Sequence, residues 1–189
     1  MPNFRRIFRP GGTYFFTLVT HLRRPFLCSG NARDCLRTAL DACQTRWPFT
    51  LYAIVLLPDH LHTIWVLPPG DCSYSRRIAF IKQHFTRNYL SRGLAESRVT
   101  AAQSRQRRRG VFQPRFWEHT IRNEDDLERR LNYLHFNPVK HRHCTRPHDW
   151  PYSSFHRFVR QNIYPIDWRC PDDMIASNEW QAIGDTAGE

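Results

Sequence analysis

The sequence has no apolar run approaching the roughly 20 residues that a membrane span requires. Its opening residues, MPNFRRIFRPGG, lack the apolar core of an export signal. Neither a membrane role nor an exported one is expected, and the cytoplasm is the expected location. No CxxC pair is present. Cys28, Cys35, Cys43, Cys72, Cys144 and Cys170 are too dispersed for a zinc ribbon or a redox motif and are expected to be reduced thiols that fill space. His141, His143, Cys144 and His148 crowd together without the paired spacing of a zinc finger. There is no P-loop and no internal repeat. Acid is scarce: 17 Asp+Glu against 28 Lys+Arg leave a formal charge of +11. Such an excess predicts an anionic partner, nucleic acid first.

What is present describes a folded domain. A chain of 189 residues that is 41% hydrophobic and 14% aromatic buries a real core and is not intrinsically disordered. Thr13–Thr20 is β-branched and aromatic and reads as a strand. Asn31–Arg46 has helical spacing with Asn31 as its expected cap, and Phe49–Leu57 and His60–Leu67 read as a hairpin about Pro58-Asp59. Ser73–Leu90 returns to helical spacing, Gly110–Ile121 reads as a strand, and Asn123–Phe136 as a helix ending before Pro138. The order β-α-β-β-α-β-α predicts an α+β fold of the ferredoxin-like, split βαβ type, an antiparallel sheet with helices on one face. Residues 1–160 are expected to form one domain, containing a mobile basic loop at about 91–114. Residues 161–189 form an acidic tail that is expected to fold back over a basic groove and restrain activity, so that truncation after Asn162 would raise it.

Two local signals carry chemistry. In Pro58-Asp59-His60-Leu61-His62, strand alternation puts His60 and His62 side by side and sends Leu61 to the core. Two such imidazoles either chelate a divalent metal or lie on a solvated sheet face. In Asn132-Tyr133-Leu134-His135-Phe136-Asn137, Tyr133 and Asn137 are four apart, so phenol and amide share a helix face. A tyrosine hydroxyl serves as a nucleophile when a metal polarises the electrophile, and an amide oxygen suits a hard cation; alone, a helical tyrosine is a packing residue.

Together, His60-Leu61-His62 and a later helical tyrosine with an amide four residues on resemble the single-tyrosine HUH transposases of the IS200/IS605 type. Phe4-Arg5-Arg6, LPDHLHTIW (57–65), FWEHTIRNEDDL (116–127), NYLHFNPVKH (132–141) and DWPYSSFHR (149–157) are similar, in order, to the REP-associated tyrosine transposases. The resemblance implies a bacterial, nucleoid-associated endonuclease and strand transferase. It would act on single-stranded DNA folded into the hairpins of repetitive extragenic palindromes (REP) through a 5′-phosphotyrosine. It implies Tyr133 as nucleophile and His60, His62 and Asn137 as ligands of Mg²⁺ or Mn²⁺. Simpler relatives place Gln where this chain has the shorter Asn137.

The DNA-binding residues expected are Arg5, Arg6 and Arg9 in an N-terminal arm, Lys82 and Arg87 on the second helix, Arg105, Arg107, Arg108 and Arg109 in the loop, with Arg115 and Lys140. Arg5-Arg6 are the expected base readers. Phe4, Tyr14, Phe112, Trp117 and Tyr152 are candidates for base stacking, while His119, His135 and His141 either line the site or cap surface groups and stay outside the catalytic set. A monomer is favoured over a dimer. Two other readings compete: a split-βαβ module that binds RNA or single-stranded DNA without catalysis, and a replication-initiator or relaxase-type HUH nuclease. The first leaves His60 and His62 without a purpose. The second sits poorly with so short a chain.

Overall fold

In the computed structural model, residues 9–171 are described. The expectations for Phe4, Arg5, Arg6 and the acidic residues from Asp172 onward lie outside them. Strands β1 (Thr13–Val19), β2 (Thr50–Leu56), β3 (His60–Val66) and β4 (Trp117–Thr120) form one antiparallel sheet in the order β2-β3-β1-β4. Helices α1 (Gly30–Arg46) and α2 (Tyr74–Ser91) fill the two crossovers, and the short α3 (Ala101–Arg105), α4 (Glu124–Lys140) and α5 (Phe155–Arg160) follow. This is the expected split βαβ sheet. Among the described residues no helix is long and apolar enough to cross a membrane.

Strand alternation builds two cores. Tyr14, Phe16, Leu18, Leu61 and Trp65 point to one face, under α1 and α2. Phe15, Ala53, Val55 and Ile64 point to the other, where α4 brings Tyr133 and Leu134. Helices therefore cover both faces, which corrects the expectation of a single helical face. The cause is in the strands, whose apolar residues on both sides need a layer each.

Three further expectations change. The last strand is short because Pro114 has no N–H to give a ladder; only Trp117–Thr120 pairs with β1, and Phe112 makes an isolated bridge to Thr20. Helix α1 is capped by Ser29, whose hydroxyl accepts from the Ala32 N–H, not by Asn31. Helix α4 starts at the Asn123 cap with Glu124, Asp125 and Asp126 in its first turn, and it runs through Pro138 instead of stopping before it. A proline that close to the end removes one backbone bond. The His141 and His143 N–H groups close the terminus on the carbonyls of Asn137 and Pro138. That extra turn carries Asn137 and Lys140 onto the helix that holds Tyr133.

The packed unit also runs past residue 160. Tyr164, Trp168 and Cys170 belong to the second core, and the Tyr164 hydroxyl donates to Asn132 Oδ1 at 2.6 Å. The segment to Cys170 thus belongs to the domain and not to a tail.

Candidate active site

His60 and His62 stand on the sheet face covered by α4, and both are buried. This overturns the solvated-face alternative. The Nδ1 of each is engaged: His60 Nδ1 lies 2.7 Å from Asp59 Oδ1, and His62 Nδ1 lies 2.9 Å from the hydroxyl of Thr17, its register partner on β1. Burial pushes the Asp59 carboxyl up, but the hydrogen bonds and charges of His60 and Arg23 outweigh it and hold it well below the usual carboxylate range. The Asp59 carboxylate orients the His60 ring through Nδ1, and Nε2 of the same ring lies 3.3 Å from Asn137 Oδ1. Asn137 therefore reaches the histidine pair despite being one methylene shorter than glutamine.

Tyr133 is fully buried on the same face of α4, its ring centroid 5.5 Å from that of His62 and 6.2 Å from that of Phe15. Lys140, expected as a DNA contact, donates to the Tyr133 hydroxyl at 2.8 Å. The His141 ring lies 5.1 Å from that of His60, which moves it into the site. His119 and His135 stay outside: His119 Nε2 pairs with Asp126 at 2.8 Å, and His135 sits among Phe155, Phe158 and Tyr164 with Nε2 2.9 Å from Ser154 Oγ.

Sequence reasoning missed Thr17, Arg23, Asp59 as the His60 partner and the contact of Lys140 with Tyr133, and it left His141 outside the catalytic set. Asp59 alone left a signal, a carboxylate immediately before the first histidine. Thr17 becomes visible only once β1 is registered against β3.

The basic residues divide. Between α2 and the 104–116 segment runs a groove of about 940 Å³ lined by Lys82, Arg87, Arg107, Arg108 and Arg109 with Phe112 and Phe116. It lies on the α1/α2 side of the sheet, away from Tyr133. Lys82 donates to the carbonyl of Gln113, and burial lowers its pKa to about 8. The 91–114 segment, expected as a mobile basic loop, is folded. Thr100 and Gln103 form a capping box, Glu96 accepts from Arg109 Nε at 2.9 Å, and the Ser97 N–H donates to the Gly110 carbonyl. A Cβ at Gly110 would stand 2.0 Å from the Ser97 carbonyl oxygen, so this closure needs glycine. Arg115 lines a neighbouring cavity with Arg108 and Leu22, Arg105 lies outside both, and Arg9 accepts at its carbonyl from the Tyr14 hydroxyl. Tyr14 and Phe112 are core residues and not stacking platforms.

Among the described residues, no group of three or more His, Cys, Asp or Glu side chains could hold a metal ion. The donor set at the strand–helix junction is two imidazoles and an amide.

No family model matches the chain. A Haemophilus influenzae protein described as a REP-associated tyrosine transposase is 42% identical over 176 residues, spanning 92% of this chain and 97% of that protein. The REP-associated tyrosine transposase of Escherichia coli K12 is 40% identical over 168 residues, spanning 89% and 91%. A solved structure of a REP-associated tyrosine transposase bound to a REP hairpin superposes with a TM-score of 0.75 at 38% identity, covering 90% of this chain and 93% of that one. With likeness of that order along nearly the full length of each relative, on a sheet whose His-Leu-His strand faces a helical tyrosine, this chain belongs to the REP-associated tyrosine transposases.

Proposed function

We propose that the chain is a metal-dependent endonuclease and strand transferase for single-stranded DNA carrying REP-type hairpins, with Tyr133 as its nucleophile. The observation that carries this reading is the convergence of Tyr133 on His60, His62 and Asn137 across the β3–α4 contact. Transposase membership supplies the reaction class, and the REP hairpin held by the relative of known structure indicates the kind of DNA.

The donor chemistry fits Mg²⁺ or Mn²⁺. His60 Nε2 and the amide oxygen of Asn137 converge at 3.3 Å, donor types that a divalent cation accepts, and His62 adds a second imidazole beside them. When bound, a divalent ion there withdraws charge from a non-bridging oxygen of the scissile phosphate. Asp59 and Thr17 orient the two rings through Nδ1. The Tyr133 oxygen attacks phosphorus, its bond to phosphorus forms as the bond to the 3′ oxygen breaks, and a proton leaves the phenol as one arrives on the 3′ oxygen. One diester replaces another, so a second 3′-OH reverses the step and joins strands. The reaction needs no nucleotide cofactor.

Tyr133 has no exposed surface, so a phosphodiester reaches it only when its cover opens. The groove lined by Lys82, Arg87, Arg107 and Arg108 provides phosphate contacts on the far side of the sheet. The test is a cleavage assay on labelled single-stranded hairpins from the host's palindromic repeats with Mg²⁺ or Mn²⁺. A covalent protein–DNA adduct should form with the wild type and vanish in Tyr133→Phe while hairpin binding persists. Binding without an adduct in both proteins would overturn the reading.

A further inference from the structure

We propose that Lys140 is a positioning residue for the nucleophile, holding the Tyr133 oxygen in place and offsetting the negative charge that passes through it. The inference rests on the reading of Tyr133 as the nucleophile.

The geometry is specific. Lysines in the last turn of a helix usually extend toward the final carbonyls or into solvent. Lys140 instead folds back along α4, where residues 133, 137 and 140 lie on one face. Its Nζ donates to Tyr133 Oη at 2.8 Å and stands 4.8 Å from the ring centroid. An ammonium has donors and no acceptor, so the direction of the bond is fixed: Oη accepts, and the phenolic proton is directed away from Lys140. The residue lies on the turn of α4 beyond Pro138, the turn that the proline would have been expected to remove.

The chemistry gives this contact two uses. A phenol held by this donor in a buried site has a fixed rotamer, so its oxygen is placed before DNA arrives. During attack the oxygen loses its proton as it bonds to phosphorus. During strand joining it departs from phosphorus carrying negative charge. A charge-assisted donor at Oη stabilises both. The alternative is a lysine that contacts a DNA phosphate; it predicts a contribution to affinity and to its salt dependence, and none to the rate at saturation.

The experiment measures adduct formation in single turnover, with the full chain, Mn²⁺ and saturating amounts of a labelled single-stranded oligonucleotide that folds as a REP-type hairpin with single-stranded flanks. Affinity is measured in parallel by anisotropy over a range of salt. Lys140→Met should slow adduct formation at saturation by roughly 100-fold while affinity and salt slope stay as in the wild type. Lys140→Arg, which keeps the charge and the donor, should recover most of the rate. In a Tyr133→Phe background, Lys140→Met should leave hairpin affinity unchanged. The inference is overturned if Lys140→Met reacts at the wild-type rate at saturation, if its effect lies in affinity with a shallower salt slope, or if Met and Arg variants are impaired alike. An inactive wild type overturns the reading of Tyr133 itself, and the positioning role with it.

Discussion

One carboxylate oxygen of Asp59 stands 2.7 Å from His60 Nδ1, and the other takes the Arg23 guanidinium at 2.6 Å. The second contact ties the site to a loop of unusual backbone: Leu22 and Arg23 are consecutive non-glycine residues at φ 54° and 50°. Left-handed residues of this kind cost about 1–3 kcal/mol each and persist where their surroundings hold them. Here the Thr20 hydroxyl, within 2.9 Å of the Asp59 and Arg24 carbonyls, and the Arg23–Asp59 pair do so.

Asp59→Ala should therefore weaken metal binding by about 10- to 100-fold, the usual loss when the orienting partner of a ligating histidine is removed. Arg23→Ala should cost less, because Asp59 keeps its contact with His60. Titration with Mn²⁺ followed by electron paramagnetic resonance measures both without a DNA substrate. Equal affinities for Asp59→Ala and wild type would refute the role of Asp59.

Truncation after Asn162 should destabilise the domain. Tyr164 packs on Phe155 and Phe158 and donates to the buried Asn132, and the Trp168 ring lies against it at a tilt of 49°. Tyr164→Ala should cost about 3–5 kcal/mol as a large core ring is lost. Tyr164→Phe, which removes the hydroxyl alone, should cost about 1–2 kcal/mol. Urea unfolding of the two variants gives the comparison, and a Tyr164→Ala variant as stable as wild type would exclude the segment from the core.

Strand and helix placement was largely legible because periodicity is local: His60 and His62 share a face by strand alternation alone, and Tyr133 and Asn137 by helical spacing. What sequence could not supply is partnership across the sheet. Both faces of β1 and β3 carry apolar side chains, and nothing local says which helix covers which face or that α4 lies opposite α1 and α2. Pro138 read as a stop because a proline usually is one; the capping bonds of His141 and His143 that make it tolerable are set by the end of the helix itself. Arg109 read as a DNA contact because its acid, Glu96, is thirteen residues away.

His135 makes stability fall in acid. Burial first, then the charges of Arg157 and His156, lower its pKa to about 3. Below about pH 6.5 the unfolded chain takes up a proton that the folded chain refuses, so each unit of pH costs up to ~1.4 kcal/mol until the pH approaches 3. Between pH 6.5 and 5 this group should remove about 2 kcal/mol. His135→Gln, less stable at neutral pH, should lose correspondingly less over that interval in urea titrations. Parallel losses in the two proteins would show that other groups set the acid limb.

The loop arginines should differ in their effect on DNA binding even though they are adjacent in sequence. Arg109 is committed to Glu96, which also accepts from the Gly110 N–H at 3.2 Å, so this pair closes the segment and cancels its own charge. Arg107 and Arg108 line the groove beside Arg87. Each phosphate contact adds close to one unit to the slope of log affinity against log salt. The double change Arg107→Gln/Arg108→Gln should thus lower the slope for hairpin DNA by about two. Arg109→Gln/Glu96→Gln, which removes one charge of each sign, should leave the slope unchanged and lower thermal stability instead. Measuring both pairs over the same salt range separates charge that meets DNA from charge that shapes the groove. If the slopes fell together, the Arg109 fork would be released from Glu96 on binding, and the groove would take up DNA in a different arrangement from the one in this structure.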